Sequence, residues 1–410
     1  MLRRNIEDLI LTSLHDTPVV FIQGPRQAGK STLVQSLDKK AFPAEYYTLD
    51  DAATLAAATS DPQGFIAQLP RPAIIDEVQR AAGLPLAIKK SVDSNRAAGQ
   101  FLLTGSTNAM VTPTLAESLA GRMELHTLWP LSQGELAGRR EMFIDAAFNG
   151  KLLTSVGGDP WPALAGRMAV GGYPEMLGRS DNDRRRAWLG AYITTILQRD
   201  VRDIADIRDV AEMPRLLALL AARSASLLNY ADLARSLPIA QTTLKRYMAL
   251  LQATFLMQTL PPWFVNKTKR LVRAPKTLIV DTGLLCYLLN MDAQRLQADR
   301  AAAGAVLENF VAMELFKQRG WSRTRPELFH FRTETGDEVD LVLEDRAGRI
   351  VGIEVKATGT IAAAHFKGLH RLAALAADRF HRGIVLYTGD KVVPFGGRMF
   401  AAPIGAIWNS

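Results

Sequence analysis

Cysteine is almost absent from this 410-residue chain, and its scarcity excludes several classes of site. Cys286 is the single cysteine, so the chain can form neither an internal disulfide nor a multi-cysteine zinc site. The six histidines are scattered without the spacing of metal ligands. This cysteine usage is typical of a reducing compartment, and we expect a cytoplasmic protein.

Long apolar runs are absent as well. No window approaches the ~18 uncharged apolar residues of a membrane-spanning helix, so we expect no membrane partner. The composition, 48% hydrophobic and 22% charged, is that of an ordinary globular protein with room for two or three domains with separate cores. The net charge of +8 favours polyanionic partners, but it is also a common device for solubility.

A phosphate-binding loop follows the first apolar strand. The strand Val19-Val20-Phe21-Ile22 leads into the pattern G-x-x-x-x-G-K-[ST], here Gly24-Pro25-Arg26-Gln27-Ala28-Gly29-Lys30-Ser31-Thr32. Its glycines let backbone N–H groups wrap a β-phosphate, and the helix that opens at Lys30 directs its positive dipole end at that anion. We expect Lys30 to reach the β- and γ-phosphates and Ser31 to ligate Mg²⁺. The pattern predicts a site for ATP and Mg²⁺.

A second motif has the form of a Walker B strand. The apolar run Pro72-Ala73-Ile74-Ile75 ends in Asp76-Glu77, at the strand end where open α/β sheets bind ligands. We expect Asp76 to hold Mg²⁺ through water. Glu77 is a residue type that can orient and deprotonate the attacking water, so hydrolysis is predicted rather than binding alone.

Two further strands and an arginine complete the predicted nucleotide domain. A strand ending in Asp50-Asp51 lies between the two motifs, and the strand Phe101-Leu102-Leu103-Thr104 ends beside Ser106, a candidate sensor of the γ-phosphate. Arg122 precedes a fifth strand at 124–128 and is a candidate arginine finger, although a surface arginine explains it equally well. This connectivity resembles the AAA-like branch of P-loop ATPases.

The region after residue 212 has the outline of a winged helix. A capped short helix begins near Asn229, and a second helix over 240–251 carries Gln241, Thr243, Lys245 and Arg246 on its polar side. Strands near 255–258 and 278–280 flank a segment rich in basic residues, namely Lys267, Lys269, Arg270, Arg273 and Lys276. We expect this cationic wing to contact a phosphate backbone, while a protein-docking role stays open.

The carboxyl-terminal part predicts a β-hairpin that carries charged residues. One strand contains Asp340, the turn lies near Gly348, and the other strand ends in Glu354-Val355-Lys356. Because alternate residues of a strand share a face, Glu354 and Lys356 project together, and Asp340 lies across from them. Two carboxylates and a lysine are the set that binds Mg²⁺ and acts on a phosphodiester.

A third carboxylate is predicted on a helix upstream of the hairpin. Glu308 lies close to the apolar stripe of the helix over 301–319, where a carboxylate is costly unless it meets a metal or a donor. These residues resemble the PD-(D/E)xK nuclease superfamily, whose motif would fall on Glu308, Asp340, Glu354 and Lys356. The resemblance implies metal ligation by Glu308, Asp340 and Glu354 and catalysis by Asp340, Glu354 and Lys356. A catalytically decayed nuclease fold and a hairpin with merely exposed charges stay open.

Nearly the whole chain is similar to one prokaryotic family, the AAA-fold predicted ATPases with a carboxyl-terminal domain of unknown function. The resemblance rests on motifs in a fixed order: the phosphate loop, Asp76-Glu77, Gly105-Ser106, Gly121-Arg122, Pro130-Leu131-Ser132 with Glu135, Gly171-Gly172-Tyr173-Pro174-Glu175, Pro275-Lys276, Asp281-Thr282-Gly283-Leu284 and Glu308-Asn309-Phe310. It implies the architecture and the use of ATP, and it suggests nucleic acid.

The sequence thus predicts an α/β multidomain protein. We expect an AAA-like P-loop domain with a central parallel sheet at 1–135, a helical region at 136–212, a winged helix at 213–290 and a restriction-endonuclease-like α/β domain at 291–410. The predicted function is a Mg²⁺-dependent ATPase that moves its carboxyl-terminal unit on nucleic acid, with DNA favoured over RNA. The alternative is an ATP-switched interaction or regulatory protein with an inert nuclease-like domain. A protein partner and a homo-oligomer stay open.

Overall fold

The computed structural model describes residues 2–37, 41–108, 117–149, 158–202, 211–237, 239–266, 268, 270 and 273–409. Within these ranges no helix combines the length and the apolar character that crossing a lipid bilayer requires.

The amino-terminal part is built around a parallel five-stranded sheet with helices packed against it. Its strands are β1 (Val19–Gln23), β2 (Glu45–Thr48), β3 (Ala73–Asp76), β4 (Phe101–Gly105) and β5 (Met123–Thr127). Its helices are α1 (Glu7–Leu14), α2 (Lys30–Ser36), α3 (Ala52–Ser60), α4 (Pro62–Gln68) and α5 (Leu84–Ser94). The strand order is β2-β3-β4-β1-β5, which fits a P-loop NTPase fold. The fifth strand begins one residue before the predicted one.

Burial follows position within this sheet. The central strands β1, β3 and β4 are buried at every residue, as expected for parallel strands covered by helices on both faces. The edge strands β2 and β5 are only partly buried. The order brings the carboxyl ends of β1, β3 and β4 together, and these ends carry the phosphate loop, Asp76-Glu77 and Ser106.

The middle of the chain is largely helical. Its helices are α6 (Gln133–Leu136), α7 (Phe143–Phe148), α8 (Trp161–Val170), α9 (Pro174–Leu177), α10 (Asn182–Thr195), α11 (Met213–Ala222), α12 (Tyr230–Ser236) and α13 (Gln241–Ala253). A π-helical turn, Ile196–Asp200, continues α10. The antiparallel pair β6 (Met257–Leu260) and β7 (Lys276–Ile279) follows α13, and Leu227 bridges to β7 from its other side.

The carboxyl-terminal part contains a mixed sheet. After α14 (Thr282–Leu288), α15 (Ala293–Ala298) and α16 (Arg300–Arg319) come the strands β8 (Glu327–Arg332), β9 (Glu338–Glu344), β10 (Ile350–Lys356), β11 (Phe380–Tyr387), β12 (Val393–Pro394) and β13 (Met399–Pro403). Helix α17 (Lys367–Ala376) connects β10 to β11, and α18 (Ala406–Asn409) ends the fold. The order is β12-β13-β11-β10-β9-β8, with β8, β9 and β10 antiparallel and β11 parallel to β10.

Apolar side chains from several parts of the chain are buried in shared cores, and the predicted domain bounds stay a prediction. One large core runs from Phe143 through the middle helices and α16 to Trp408, so the middle and carboxyl-terminal parts share it. A core on one face of the parallel sheet includes Trp321, which lies two residues after the end of α16. Because apolar side chains from distant segments are buried together, these parts stabilise one another.

Candidate functional site

The phosphate loop has the backbone geometry that its glycines predict. A Cβ atom at Gly24 would lie 2.1 Å from the carbonyl oxygen of Leu128, and Gly29 has a φ of +93°, which favours glycine. The Lys30 side chain is folded into the loop, where Nζ donates hydrogen bonds of 3.0 Å to the carbonyl oxygens of Gly24 and of Pro25. Burial lowers the pKa of Lys30, and the nearby carboxylates of Glu77 and Asp76 oppose that shift.

A cleft of about 1280 Å³ opens beside this loop. Most of the predicted nucleotide residues line it, namely Arg26, Gln27, Ala28, Gly29, Lys30, Ser31, Thr32, Glu77 and Ser106. Among the described residues Gly24, Pro25 and Asp76 are not part of its wall. The amino-terminal residues Leu2 to Arg4 and the π-helical Asp200 also line the cleft, and sequence reasoning did not identify them.

Asp76 is held by two hydroxyl groups that the sequence analysis missed. The Tyr46 hydroxyl donates to Oδ2 at 2.7 Å, and the Thr104 hydroxyl donates to Oδ1. Burial, followed by the hydrogen bond to Asp76, raises the pKa of Tyr46 to about 12, so this hydroxyl stays protonated. Tyr46 and Thr104 come from β2 and β4, the strands on either side of β3, and their roles become visible only once the strand order is known.

Glu77 is turned into the cleft by an uncommon backbone conformation. Its φ is +59°, a left-handed value that a residue without a glycine's freedom seldom adopts, and its N–H donates to the Thr104 hydroxyl at 3.1 Å. The carboxylate oxygen Oε2 accepts hydrogen bonds from Gln79 at 2.5 Å and from Ser106 at 3.1 Å. The predicted base therefore contacts the predicted phosphate sensor, and Gln79, which no sequence signal marked, orients it.

Arg122 does not line the cleft within its own chain. Its Nε and Nη2 atoms lie 2.5 and 2.9 Å from the two carboxylate oxygens of Asp93. A finger acting on the nucleotide of the same chain would face the cleft, which Arg122 does not do in this structure. The assignment of Arg122 as an arginine finger stays a prediction, and the sequence leaves open whether it acts in cis or across subunits.

Two contacts connect the phosphate loop to other parts of the molecule. Arg26 forms a 2.5 Å salt bridge with Asp200, and the Tyr192 hydroxyl on α10 donates to the carbonyl oxygen of Arg26 at 3.2 Å. On the other side Arg4 donates to the carbonyl oxygen of Ala28 at 2.8 Å and forms a 3.1 Å salt bridge with Glu135. The loop is thus tied to the middle helices and to the amino-terminal segment.

The charged residues of the carboxyl-terminal hairpin converge as predicted. The register pairs Leu341 with Ile353, so its continuation sets Asp340 opposite Glu354. Asp340 Oδ2 accepts a 2.8 Å hydrogen bond from the N–H of Val355, and Lys356 Nζ lies 2.6 Å from Glu354 Oε1. These strands therefore bring the two carboxylates and the lysine to one place.

An additional lysine enters this group from the middle of the chain. Lys276 Nζ on β7 lies 2.6 Å from Glu308 Oε1 and 3.5 Å from Asp340 Oδ1. No group of three or more His, Cys, Asp or Glu residues with a metal-binding arrangement occurs in the described ranges. An ammonium group therefore lies between two members of the predicted metal set of Glu308, Asp340 and Glu354, and metal ligation by these residues stays a prediction.

The charges of this group perturb one another. Burial and the neighbouring Asp340 raise the pKa of Glu354 to about 7, and the same causes raise the pKa of Glu308. Burial disfavours the charge of Lys276, but the carboxylates of Glu308 and Asp340 outweigh it and raise the pKa of Lys276. Lys276 therefore carries its charge at neutral pH.

The predicted cationic wing is wrong for two of its residues. Arg270 points inward and forms a 2.7 Å salt bridge with Glu344, with about a tenth of its side chain exposed. Lys276 is buried, as described above. Arg273 is exposed and pairs with Glu334, while Lys267 and Lys269 lie outside the described residues. A count of basic residues could not show which of them find carboxylates inside the protein.

Fold and site together define a protein with an AAA-type P-loop domain joined to a helical region and a mixed-sheet domain. The sequence family described as an AAA domain matches residues 16–137, and two domains of unknown function, DUF8612 and DUF4143, match residues 162–295 and 303–407. The uncharacterized protein Rv2008c of Mycobacterium tuberculosis is 33% identical over 409 residues, which are 99% of this chain and 84% of the relative. The uncharacterized protein Mb2031c of Mycobacterium bovis gives the same figures. The chain belongs to the family of these mycobacterial proteins.

Two solved structures show a looser likeness. The Walker-type ATPase PABY2304 of Pyrococcus abyssi has 14% identity and a TM-score of 0.43, over 70% of this chain and 96% of that one. The RuvB Holliday junction branch migration motor of Thermotoga maritima has 17% identity and a TM-score of 0.32, over 63% of this chain and 89% of that one.

Proposed function

We propose that this protein is a Mg²⁺-dependent ATPase whose nucleotide state controls its middle and carboxyl-terminal parts. The observation that carries the proposal is the cleft of about 1280 Å³. It is lined by the loop residues Lys30 and Ser31 together with Glu77 and Ser106. A cation, hydroxyl groups and a carboxylate base are the groups that transfer of a phosphoryl group to water requires.

Each of these residues has a distinct role in the proposal. Lys30 leaves the carbonyl oxygens that it now contacts and binds the β- and γ-phosphates of ATP. Glu77 orients the attacking water and accepts its proton, while Ser106 senses the γ-phosphate and reports it to Glu77 through their hydrogen bond. The hydroxyl oxygen of Ser31 and, through water, the carboxylate of Asp76 form an oxygen donor set that suits Mg²⁺. The ion would neutralise phosphate charge.

Two variants test the ATPase proposal by separating binding from turnover. Lys30→Ala should weaken ATP binding in calorimetry, because Lys30 contacts phosphates of the ground state. Glu77→Gln should bind ATP like the wild type but release phosphate ~10²–10⁴-fold more slowly, the usual cost of losing a positioned base. Glu45→Gln, at the exposed edge strand β2, is the matched control and should change neither quantity. Unchanged phosphate release by Glu77→Gln would remove Glu77 as the base.

The contacts of the phosphate loop support transmission of the nucleotide state. Arg26 contacts Asp200 and Tyr192 of the middle region, so a loop that closes on phosphates pulls on both partners. One of these partners, Asp200, belongs to the π-helical turn Ile196–Asp200, and π-helical turns recur at functional sites. We infer that the middle helices respond first to ATP.

We further propose that the middle region is a winged helix that contacts nucleic acid, DNA before RNA. Support comes from the order of its elements, in which α11, the bridge at Leu227, α12, α13 and the pair β6 and β7 follow one another. Gln241, Lys245 and Arg246 are exposed on α13, where a recognition helix would present them. The inward positions of Arg270 and Lys276 move the proposed contact from the wing to α13.

We also propose that the carboxyl-terminal part is a nuclease-like domain, and the order of its elements supports this. Helix α16, the antiparallel strands β8 to β10, helix α17 and the parallel strand β11 surround Asp340, Glu354 and Lys356 in the way that the PD-(D/E)xK resemblance implies. Hydrolysis of phosphodiesters there is tested by incubating wild type and Lys356→Ala with single- and double-stranded DNA and RNA in Mg²⁺ or Mn²⁺, with and without ATP. Cleavage by the wild type alone would support the nuclease.

A second function is favoured by one observation, the ammonium of Lys276 between Glu308 and Asp340. In that case the protein is an ATP-switched interaction protein in which the nuclease-like domain is inert. The same assays would then show nucleic-acid or protein binding that changes with ATP and no cleavage. For either function we propose a cytoplasmic protein, in keeping with the single buried cysteine, and a homo-oligomer if Arg122 reaches a neighbouring nucleotide.

A further inference from the structure

Most of the charged side chains at the carboxyl-terminal site are paired with one another. The cation-filled cluster, as we name it, consists of the carboxylates of Glu308, Asp340 and Glu354 and the ammonium groups of Lys276 and Lys356. Lys356 pairs with Glu354 along one strand, as a nuclease motif leads one to expect. Lys276 has no place in that motif, yet it contacts the two other carboxylates.

Lys276 is positioned as a bridging ion would be. Its Nζ lies between a carboxylate of helix α16 and a carboxylate of strand β9, at 2.6 and 3.5 Å, and 4% of its side chain is exposed. Water is therefore largely excluded, and the attraction between these charges is stronger than at a surface. A positive charge between a buried and a partly buried carboxylate stabilises both, whether a lysine or a metal ion supplies it.

The structure holds Lys276 in this position from several sides. Lys276 pairs with Leu260 of β6 and bridges to Leu227. Farther along β7, the Asn309 side chain accepts from the N–H of Ile279 at 2.8 Å and donates to its carbonyl oxygen at 2.9 Å. Because Glu308 and Asn309 are neighbours on α16, one helix binds the strand at two points, and these contacts hold the backbone of β7 beside the carboxylates that Lys276 contacts.

One carboxylate oxygen of the cluster lacks a hydrogen-bond donor among the described residues. Glu354 Oε2 is buried and has no hydrogen-bond partner within the part of the chain that the structure describes. About nine-tenths of the Glu354 side chain is shielded from solvent. A buried carboxylate oxygen without a donor is costly, and a bound cation would satisfy it.

We propose that Lys276 is an intramolecular substitute for a divalent cation, and that it closes the nuclease-like site to metal while β7 is docked on α16. The proposal rests on the nuclease-like assignment of this domain and is independent of the ATPase assignment. It names a way to control the site, since a movement of β7 relative to α16 would take Lys276 away from the carboxylates and admit an ion. It also predicts that a single substitution creates a metal site, because Lys276→Gln leaves three carboxylates and one lysine.

The test measures Mn²⁺ binding to the full chain without nucleotide, so that the phosphate loop contributes no metal-nucleotide complex. Lys276→Gln should bind one Mn²⁺ per chain in calorimetry and in electron paramagnetic resonance, whereas the wild type should bind it at least about tenfold more weakly. Adding Asp340→Asn to Lys276→Gln should abolish the gain, since even the loss of an outer-shell partner costs about 10–100-fold in metal affinity. Lys317→Gln is the matched control, because Lys317 is a buried lysine that pairs with one carboxylate, Glu314, elsewhere on α16. It should gain no site.

The test remains decisive if Lys276→Gln is destabilised or does not fold. Mn²⁺ should raise the melting temperature of Lys276→Gln and not that of the wild type, because a ligand stabilises the state that binds it. If Lys276→Gln does not fold, the pair Lys276→Met with Glu308→Gln removes both charges of the shortest contact and keeps Asp340 and Glu354, and the same Asp340-dependent binding is expected.

Two results would overturn the proposal, and neither touches the ATPase. Equal Asp340-dependent Mn²⁺ binding by wild type and Lys276→Gln would show that the lysine excludes nothing, while the nuclease-like assignment would survive. Absence of any gain in the variants would show that the cluster is no metal site, and both the substitution by Lys276 and a metal-dependent nuclease activity of this site would fail, while the inert nuclease-like domain would remain.

Discussion

The two charged sites of this molecule treat their lysines in opposite ways. Lys30 in the phosphate loop donates to neutral carbonyl oxygens, in a loop that lines a large cleft. Lys276 in the cation-filled cluster is held by the carboxylates of Glu308 and Asp340. A lysine held only by carbonyls exchanges them for an anion at little cost, while a lysine held by buried carboxylates is already neutralised. The convergence of a motif's residues in the structure is therefore not sufficient for the site to bind its ligand.

The comparison of the two lysines predicts its largest effect for the free energy of unfolding. Lys276→Met should lower the free energy of unfolding by about 3–5 kcal/mol, because it leaves the buried carboxylate of Asp340 and the partly buried carboxylate of Glu308 without their counter-charge. Lys30→Met should change the stability of the nucleotide-free protein far less, since it removes a buried charge together with its desolvation cost. Urea denaturation of both variants measures the contrast. Equal losses would break the comparison.

A smaller effect concerns pH and Glu354. The pKa of Glu354 is raised from its ordinary 4.5 to about 7, so the folded protein binds a proton that the unfolded chain releases between these values. Stability from this group is therefore present below about pH 4.5 and is lost as the pH rises through 7. The wild type should lose about 2–3 kcal/mol more than Glu354→Gln across this range. Unfolding curves at pH 4.5, 6 and 8 give the difference, and parallel profiles would contradict it.

The smallest predicted effect concerns the salt dependence of nucleic-acid binding by helix α13. If α13 contacts the phosphate backbone, Lys245→Gln and Arg246→Gln together should flatten the slope of log affinity against log salt by roughly 0.7–0.9 for each lost contact. Binding of duplex and single strands at several salt concentrations measures the slope. Arg270→Gln should leave that slope unchanged, because its side chain is buried against Glu344. The opposite pattern would return the contact to the wing.

Sequence reasoning succeeded where the determinants are local. The phosphate loop, Asp76-Glu77 at a strand end and the shared face of Glu354 and Lys356 follow from short spacings and strand periodicity. The five-stranded parallel sheet follows from the alternation of strands and helices.

The missed residues depend on contacts between distant segments. Thr104 and Tyr46 contact Asp76 only because of the strand order, and Arg4 reaches the phosphate loop from outside its motif. Lys276 was predicted at a basic surface because composition counts charges but does not show which side chains turn inward. Its partners lie in α16 and β9, and only the packing of β7 against α16 brings them within reach.

Helix α16 has a consequence for anyone who divides this molecule into pieces. The helix begins at Arg300, so a fragment cut at residue 303 would remove its first turn. Such a fragment would also expose the side chains of Asn309 and Glu314, which are wholly buried in the full chain. Their hydrogen-bond partners, the backbone N–H groups of Ile279 and Gln133, lie in the part that is cut away. The fragment would aggregate or unfold rather than behave as a free-standing domain. The unit of folding here is larger than the unit of sequence similarity, and useful truncations must keep the strand and the helix together.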